Sequence, residues 1–251
     1  MQIKDLIPVP ELTSARNALV VSPHPDDAEL VAGGTVAVLA GQGAEVTYAM
    51  VTDGSMGGFD PGVSEEQVAA VRRNEQSEAA KTLGVQHIEW LGFQDTRVPL
   101  PEVVRQPLIS LIRKVQPDFV ISLDPWLPYE AHPDHRRSAM AVVEACLFAP
   151  LPMVQKEDLA QGLMPWQVTG IALALSPKPN TYINIDSTWE KKVQAIKCHR
   201  SQFPDWIWNA FYPAILAKSQ EYGQEAGAGL AEGFKVLTTT HLHVMVDTWR
   251  F

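Results

Sequence analysis

Residues 17–29 read Asn-Ala-Leu-Val-Val-Ser-Pro-His-Pro-Asp-Asp-Ala-Glu, and they form the first strand-to-helix junction that the sequence predicts. The run Ala18–Val21 is short, rich in β-branched residues and closed by a proline soon after, which is typical of a buried strand. Apolar residues then recur at helical spacing, so a helix is predicted over 27–42. The stretch therefore predicts a strand that ends in a polar motif and leads directly into a helix.

Three ionisable groups lie within four residues at this junction: His24, Asp26 and Asp27. A helix N-terminus offers free backbone N–H groups and a positive dipole potential, and both favour carboxylates. One interpretation is therefore an N-cap with a second, solvated carboxylate. The other is a cation site, in which His24 and Asp27 face one ion and Asp26 remains for acid–base chemistry. The junction alone leaves both interpretations open.

A second motif, Ala131-His132-Pro133-Asp134-His135, repeats the pattern, with two imidazoles three residues apart and a helix predicted over 136–147. Two His/Asp clusters that follow two strands can meet in space. Imidazole and carboxylate are normal ligands of catalytic zinc, which takes three protein ligands and keeps one position open for water. The second motif therefore favours the metal interpretation.

The remaining chain alternates between strand and helix patterns without a repeat. Strands are predicted over 45–52, 87–91, 119–122, 166–176, 181–185 and 234–246, and helices over 64–83, 101–115, 187–199 and 208–222. Polar segments follow each of the first four strands, and open α/β sheets bind ligands outside the carboxyl ends of their strands. We therefore predict an α/β, Rossmann-like three-layer fold with a mostly parallel sheet and an active site at the carboxyl ends of the strands.

Several segments suggest more local roles within one domain over 1–251. Residues 1–16 are predicted to form a surface arm, and the glycine-rich segment 53–58 a mobile loop that can cover a site. The pair Gly33-Gly34 is costly inside a helix unless another backbone passes close by. Residues 150–251 are expected to add a substrate pocket and an oligomer interface.

Composition limits the function classes. A net charge of −9 with a pI near 5.2 argues against nucleic-acid or anionic-membrane partners, because these require a basic face. Cys146 and Cys198 are too few for a disulfide framework, so a reducing, cytoplasmic setting is expected. The sequence contains neither a signal-peptide pattern nor an apolar run near the ~20 residues of a membrane span.

With both motifs placed, the chain resembles the PIG-L/LmbE-like zinc deacetylases, whose signature is His-Pro-Asp-Asp-x-Glu followed later by His-x-x-His. Within that family it is most similar to the diacetylchitobiose deacetylases, through the segments 52–54, 124–130 and 199–205. The resemblance implies zinc, with His24, Asp27 and His135 as its ligands. It also implies that Asp26 is the general base and that a protonated His132 stabilises the oxyanion. Asp134 is expected to orient His132.

The resemblance suggests substrate contacts less directly. An arginine of the helix after the glycine-rich loop matches Arg72 and an aspartate matches Asp95, and Asp53 and Trp126 lie in the similar segments. Four aromatic residues are candidates for stacking on a sugar, and at most two are expected to do so, because aromatics near helix starts more often pack as anchors: Trp126, Phe203, Trp206 and Trp208. Some relatives have a tyrosine two residues before the first histidine of the second motif, where this chain has Glu130, so no catalytic tyrosine is assigned.

The implied reaction removes the N-acetyl group from N-acetylglucosamine-type sugars, namely N,N'-diacetylchitobiose or GlcNAc, and releases acetate. One alternative is another GlcNAc conjugate, such as the precursor of a thiol cofactor. A second is a sugar-binding homologue without catalysis, but such a protein has no use for Asp26 beside intact metal ligands.

The resemblance also implies a homo-oligomer, either a trimer or a hexamer. The match places His243, on the predicted C-terminal strand 234–246, at a neighbouring subunit's pocket. The simple alternative is that 234–246 is an edge strand, whose free edge a symmetry mate can cover.

Overall fold

The computed structural model describes residues 6–251 and arranges them around one seven-stranded sheet. The strands are β1 (Asn17–Ser22), β2 (Glu45–Thr52), β3 (His87–Phe93), β4 (Phe119–Leu123), β5 (Gly170–Ala174), β6 (Thr181–Asn184) and β7 (Ala231–Leu237). The helices are α1 (Asp27–Gly41), α2 (Glu65–Leu83), α3 (Pro101–Val115), α4 (Pro133–Phe148), α5 (Glu157–Ala160), α6 (Trp189–Cys198), α7 (Asp205–Ala226) and α8 (Thr239–His243).

The order of the strands explains where a ligand can bind. The sheet runs β3-β2-β1-β4-β5-β7-β6, with β1 to β5 parallel and β7 antiparallel to both of its neighbours. The chain order reverses between β1 and β4, because β2 and β3 lie on one side of this pair and β5 on the other. Ligands of open α/β sheets bind at such a reversal, beyond the carboxyl ends of the strands. The two His/Asp motifs follow β1 and β4, so the topology brings them together at this point.

Two apolar cores, one on each face of the sheet, make the three layers. Alternate residues of β1 divide between them, with Ala18 and Val20 in one core and Leu19 and Val21 in the other. The first core includes buried residues of α1, α2 and α6, and the second includes buried residues of α3 and α4. This arrangement confirms the predicted three-layer α/β fold with a mostly parallel sheet.

The glycine pair in α1 is explained by what packs against it. A Cβ on Gly34 would lie only 2.7 Å from Ile185, just after β6. The backbone N–H of Gly34 donates to Glu232 at 2.9 Å, and the carbonyl of Leu30 accepts from Lys192 at 2.8 Å. Glu232 and Lys192 form a buried ion pair at 2.6 Å. A close approach to the glycine pair is therefore present, but side chains make it, whereas the sequence predicted a neighbouring backbone.

Most predicted elements are present, with boundaries shifted by a few residues. Among the predicted helices, the bounds differ most for α7, which runs from Asp205 to Ala226 and includes Pro213 in its interior. Residues 1–5 of the predicted arm lie outside the described residues. Leu12, in the same segment, is fully buried in the first core, so this part of the chain packs against the domain.

The prediction of a strand over 234–246 is wrong beyond Leu237. Thr238 caps α8, since its side chain accepts from the N–H of His241 at 3.2 Å and its own N–H donates to His241 Nδ1 at 3.0 Å. This reciprocal pairing starts a helix and overrides the strand preference of the threonine run. β7 is also an interior strand, so it has no free edge for a neighbouring subunit to cover.

Of the helices in residues 6–251, none combines the length and the apolar character needed to cross a membrane. Cys146 and Cys198 are both free thiols, which agrees with the prediction that the chain has no disulfide framework.

We predict that Gly34→Ala lowers the free energy of unfolding by about 1–3 kcal/mol, because the added methyl group collides with Ile185. Gly41→Ala is the matched control, since a Cβ at that end of α1 meets nothing within 4 Å and alanine favours the helix by about 0.5–1 kcal/mol. Denaturant unfolding of both variants checks this. Equal stability of Gly34→Ala and the wild type would contradict the packing described here.

Candidate active site and metal centre

The two motifs line one polar cavity of about 280 Å³ at the reversal point between β1 and β4. Its walls come from the loops after β1, β2, β3 and β4 and from the segment between α6 and α7. A neighbouring, mostly apolar cavity of about 360 Å³ shares the side chains of Asp27 and His135 with it. The lining residues of the polar cavity are His24, Asp26, Asp27, Met56, Gly57, Arg72, Asp95, Thr96, His132, His135 and Gln202.

Three of these residues can hold a metal ion. His24, Asp27 and His135 each offer one ligand atom, and the three atoms lie within 4.8 Å of one another. Asp27 Oδ2 is 3.2 Å from His24 Nδ1 and 3.4 Å from His135 Nε2. Two imidazoles and one carboxylate form the ligand set of many catalytic zinc sites. The chemistry of this group therefore fits a divalent metal.

A second group, His24, His132 and Asp134, also meets the distance requirement. The carboxylate of Asp134, however, is fully buried and already accepts two backbone hydrogen bonds, from Thr96 at 2.7 Å and from Val98 at 3.2 Å. Its oxygens are therefore occupied in holding the loop after β3. Asp27 accepts one backbone hydrogen bond, from the N–H of His24 at 3.1 Å, so its carboxylate is less engaged by the backbone than that of Asp134.

The electrostatics of the site favour a positive charge beside His24. His24 Nε2 lies 3.1 Å from Asp95 Oδ1 and 3.3 Å from Asp134 Oδ2, while Nδ1 faces Asp27. Burial alone would lower the pKa of His24, but its hydrogen bonds with these three carboxylates raise it to about 11. Burial would likewise raise the pKa of Asp27, but hydrogen bonds with His135 and His24 hold it below its ordinary value. A cation at this point therefore balances several buried carboxylates.

Asp26 lies beside Asp27 but has a different environment. Its backbone has φ 107°, a left-handed conformation that is uncommon for aspartate. Arg72 Nη2 donates to Asp26 Oδ2 at 2.9 Å, and the N–H of Asp26 donates to Gln76 at 3.2 Å. Burial raises the pKa of Asp26 to about 6, although the Arg72 charge opposes the shift. This carboxylate is suited to exchanging a proton near neutral pH.

Arg72 packs against the glycine-rich loop 53–58 and holds it by hydrogen bonds. Its guanidinium donates to the carbonyl of Gly54 at 3.0 Å and to that of Pro25, and a Cβ on Gly57 would lie 2.6 Å from Nη1. Met56 donates its N–H to Asp95 at 2.9 Å, which fastens the loop from the other side. Hydrogen bonds thus hold this loop over the cavity, the place that the sequence predicted for it.

His132 and Asp134 interact differently from the prediction. His132 Nδ1 accepts the backbone N–H of Asp134 at 3.2 Å, whereas the Asp134 carboxylate turns to His24. Burial and the nearby imidazoles of His24 and His135 lower the pKa of His132. These features favour a neutral His132 with its proton on Nε2, rather than the protonated imidazole that we expected. A neutral imidazole in this tautomer can still donate a hydrogen bond through Nε2.

Sequence reasoning missed the polar face of α2 behind the site. Glu75 accepts hydrogen bonds from the N–H and hydroxyl of Ser201 at 2.8 and 2.6 Å, which positions the segment that carries Gln202. Gln76 donates to Glu29 at 2.9 Å, and Glu29 lies 3.3 Å from the buried His199. The available signal was the i, i+3, i+4 spacing of Arg72, Glu75 and Gln76, which places all three on one helix face.

The other predicted substrate contacts lie in different places. Asp95 lines the cavity, but Asp53 turns back to its own loop and accepts from the N–H of Ser55 at 3.1 Å. Trp126 lines a different cavity, of about 310 Å³, together with Trp249. His243 is exposed at the end of α8. Within one chain, therefore, the structure brings Arg72 and Asp95 to the candidate metal ligands and leaves the other three outside.

Comparisons with known proteins identify the family of this chain. A family model described as PIG-L, GlcNAc-PI de-N-acetylase, matches residues 19–146, about half of the chain. Diacetylchitobiose deacetylase from Thermococcus kodakarensis is 38% identical and covers 91% of this chain and 86% of the relative. A probable N-acetyl-alpha-D-glucosaminyl L-malate deacetylase from Bacillus cereus is 33% identical and covers 74% and 84%, respectively.

Solved structures show the same relationship. N,N'-diacetylchitobiose deacetylase from Pyrococcus horikoshii superposes with a TM-score of 0.90 at 41% identity, over 94% of this chain and 89% of that one. The hydratase GalB from Pseudomonas putida KT2440 superposes with a TM-score of 0.75 at 25% identity, over 88% and 96%. The fold thus also occurs in a protein with another reaction. The match across both motifs and most of the length shows that this chain belongs to the PIG-L family.

Proposed function

We propose that this protein is a metal-dependent hydrolase that removes the N-acetyl group from N-acetylglucosamine-type sugars and releases acetate. The proposal depends chiefly on one observation: Asp26 lies beside the metal-ligand group of His24, Asp27 and His135 but is turned toward Arg72. One carboxylate is thus available to a metal while its neighbour remains available as a base. The similarity to the diacetylchitobiose deacetylases favours N,N'-diacetylchitobiose or GlcNAc as the substrate.

We assign zinc as the metal, held by His24, Asp27 and His135. Zinc suits a mixed imidazole and carboxylate set, and three protein ligands leave a position open for chemistry. When bound, it polarises a carbonyl group and makes water more acidic. The carboxylates of Asp95 and Asp134 on the far side of His24 then orient that imidazole and increase its basicity.

The chain's own residues complete the hydrolysis. Asp26 accepts a proton as the water oxygen forms a bond to the acetamide carbon, and Arg72 holds the carboxylate in place. His132, with its proton on Nε2, donates to the developing oxyanion. The C–N bond then breaks, the proton on Asp26 passes to the departing nitrogen, and the products are acetate and a free amino sugar.

The polar lining of the cavity suits a sugar. Arg72, Asp95 and Gln202 offer both hydrogen-bond donors and acceptors beside the candidate ligands. We propose Arg72 and Asp95 as substrate contacts, as the sequence suggested. Neither Asp53 nor Trp126 lines the polar cavity of its own chain. Their predicted contacts with substrate therefore require a substrate that extends beyond this cavity or a site that a neighbouring subunit completes.

The direct test is acetate release by the zinc-loaded protein from a panel of N-acetylated compounds. The panel includes N,N'-diacetylchitobiose, GlcNAc and N-acetyl-alpha-D-glucosaminyl L-malate. The third compound is included because the Bacillus relative is a probable deacetylase of it, and another GlcNAc conjugate is the main alternative substrate. Acetate from the first two compounds supports the proposal, and acetate from the malate conjugate alone favours the alternative. A zinc-loaded protein that binds sugars without releasing acetate is a binding protein, and the proposal then fails.

We predict that Asp26→Asn lowers kcat by roughly 10²–10⁴-fold while the protein still binds one zinc ion, because a base is lost but no ligand. His135→Ala should lose both zinc and activity. Metal analysis and acetate release on the same preparations separate the two roles. Loss of zinc in Asp26→Asn, or full zinc in His135→Ala, would contradict the assignment.

The arginine that holds the base gives a pH prediction. Because the positive charge of Arg72 lowers the pKa of Asp26, Arg72→Met should raise that pKa and move the acidic limb of the kcat/KM profile to higher pH. A misplaced base should also lower kcat by roughly 10²-fold. Arg73→Met is the matched control, since the Arg73 guanidinium lies over Trp90. An unshifted acidic limb in Arg72→Met would show that Asp26 is not the titrating base.

The proposal extends to assembly as a trimer or hexamer, in which His243 completes a neighbouring subunit's site and residues 150–251 supply the interface. His243 is followed by the exposed apolar residues Val244, Val246 and Trp249, which an interface would cover. We expect an oligomeric mass in solution and low activity of His243→Ala. Mixed oligomers of His243→Ala and Asp26→Asn should regain activity, because some sites then combine an intact base with an intact His243. A fully active monomer would exclude this arrangement.

A further inference from the structure

Glu130 contacts both histidines of the second motif. It lies in the loop between β4 and α4, two residues before His132. Its Oε1 accepts the N–H of His132 at 2.7 Å, and its Oε2 lies 3.1 Å from His135 Nδ1. The side chain is only 19% exposed. One carboxylate thus connects the proposed oxyanion residue to a proposed metal ligand.

The contact with His135 determines which ring nitrogen can bind a metal. His135 Nε2 faces Asp27 Oδ2, on the side of the proposed metal, and Nδ1 faces Glu130 on the opposite side. A neutral imidazole that coordinates through Nε2 must carry its proton on Nδ1. A carboxylate that accepts this proton fixes both the tautomer and the orientation of the ring.

The loop is shaped to place Glu130 there. The N–H of Trp126 donates to the carboxylate of Asp124 at 2.9 Å, and the N–H of Glu130 donates to the carbonyl of Leu127 at 3.3 Å. Tyr129 adopts a left-handed φ of 66°, which is costly for a tyrosine, although its side chain is fully exposed. The exposed Tyr129 side chain makes no packing contact that offsets this backbone strain. We therefore attribute the strained turn to the placement of Glu130, whose carboxylate contacts His132 and His135.

We propose that Glu130 is a positioning residue that holds His135 ready for the metal and couples it to the backbone of His132. The proposal builds on the metal site of the proposed function. It makes Glu130 a part of the site in a place where some relatives have tyrosine. The alternative is that Glu130 only braces the loop through the N–H of His132.

The test measures zinc affinity by competition with a chromogenic chelator, for the wild type, Glu130→Gln and Glu130→Ala. We expect zinc to bind about 10–100-fold more weakly to Glu130→Ala, the range for loss of a group that supports a ligand. Glu130→Gln should be intermediate, because its one oxygen can accept from either histidine but not from both. Glu157→Gln, at an exposed glutamate of α5, is the matched control and should bind zinc like the wild type.

Two further measurements separate positioning from bracing. The visible spectrum of the cobalt-substituted protein should change in Glu130→Ala, because the orientation of a ligand changes. Thermal unfolding of the metal-free variants reports on the loop alone. Zinc affinity equal to the wild type in Glu130→Ala, together with lower metal-free stability, would overturn the proposal. If His135→Ala loses zinc but Glu130→Ala does not, only this inference fails and the metal site remains.

Discussion

Three buried carboxylates, those of Asp27, Asp95 and Asp134, face the single imidazole of His24, and this concentration of negative charge favours a cation among them. The same carboxylates hold the surrounding loops. Asp95 accepts the N–H of Met56 in the loop after β2, and Asp134 accepts the N–H of Thr96 in the loop after β3. The loops that form the cavity are therefore connected through the charge centre. A metal ion can supply the positive charge while leaving the imidazole nitrogens free to act as ligands.

The pKa values of the two adjacent carboxylates of the first motif are shifted in opposite directions. Hydrogen bonds from two imidazoles outweigh burial and lower the pKa of Asp27, whereas burial raises the pKa of Asp26 to about 6. A pair of titratable groups whose environments push their pKa values apart is a pattern found in acid–base sites. The backbone of Asp26 is left-handed at this point, and its side chain accepts from Arg72.

The sequence predicted the features that depend on residues close together in the chain. The two motifs, the strands before them and the helices after them follow from periodicity, and their meeting follows from the rule for parallel sheets. Arg72 and Glu75 were harder to interpret, because a charged helical run usually faces solvent and only the folded structure shows the loops against them. The error at 234–246 arose because β-branched threonines favour a strand, whereas the hydrogen bonds of Thr238 with His241 start a helix. Glu130 could not be assigned from the sequence, since its proposed role depends on the two nitrogens of His135 pointing in opposite directions.

The position of the metal tests the central claim most directly, because two groups of residues compete for it. Crystals grown with zinc, measured on both sides of its absorption edge, locate the ion by anomalous scattering. We predict one strong peak about 2.0–2.2 Å from His24 Nδ1, an Asp27 oxygen and His135 Nε2. A peak between His24 Nε2, His132 and Asp134 would contradict the account. Asp27 would then not be a metal ligand, and Asp26 would not lie beside the metal as its general base.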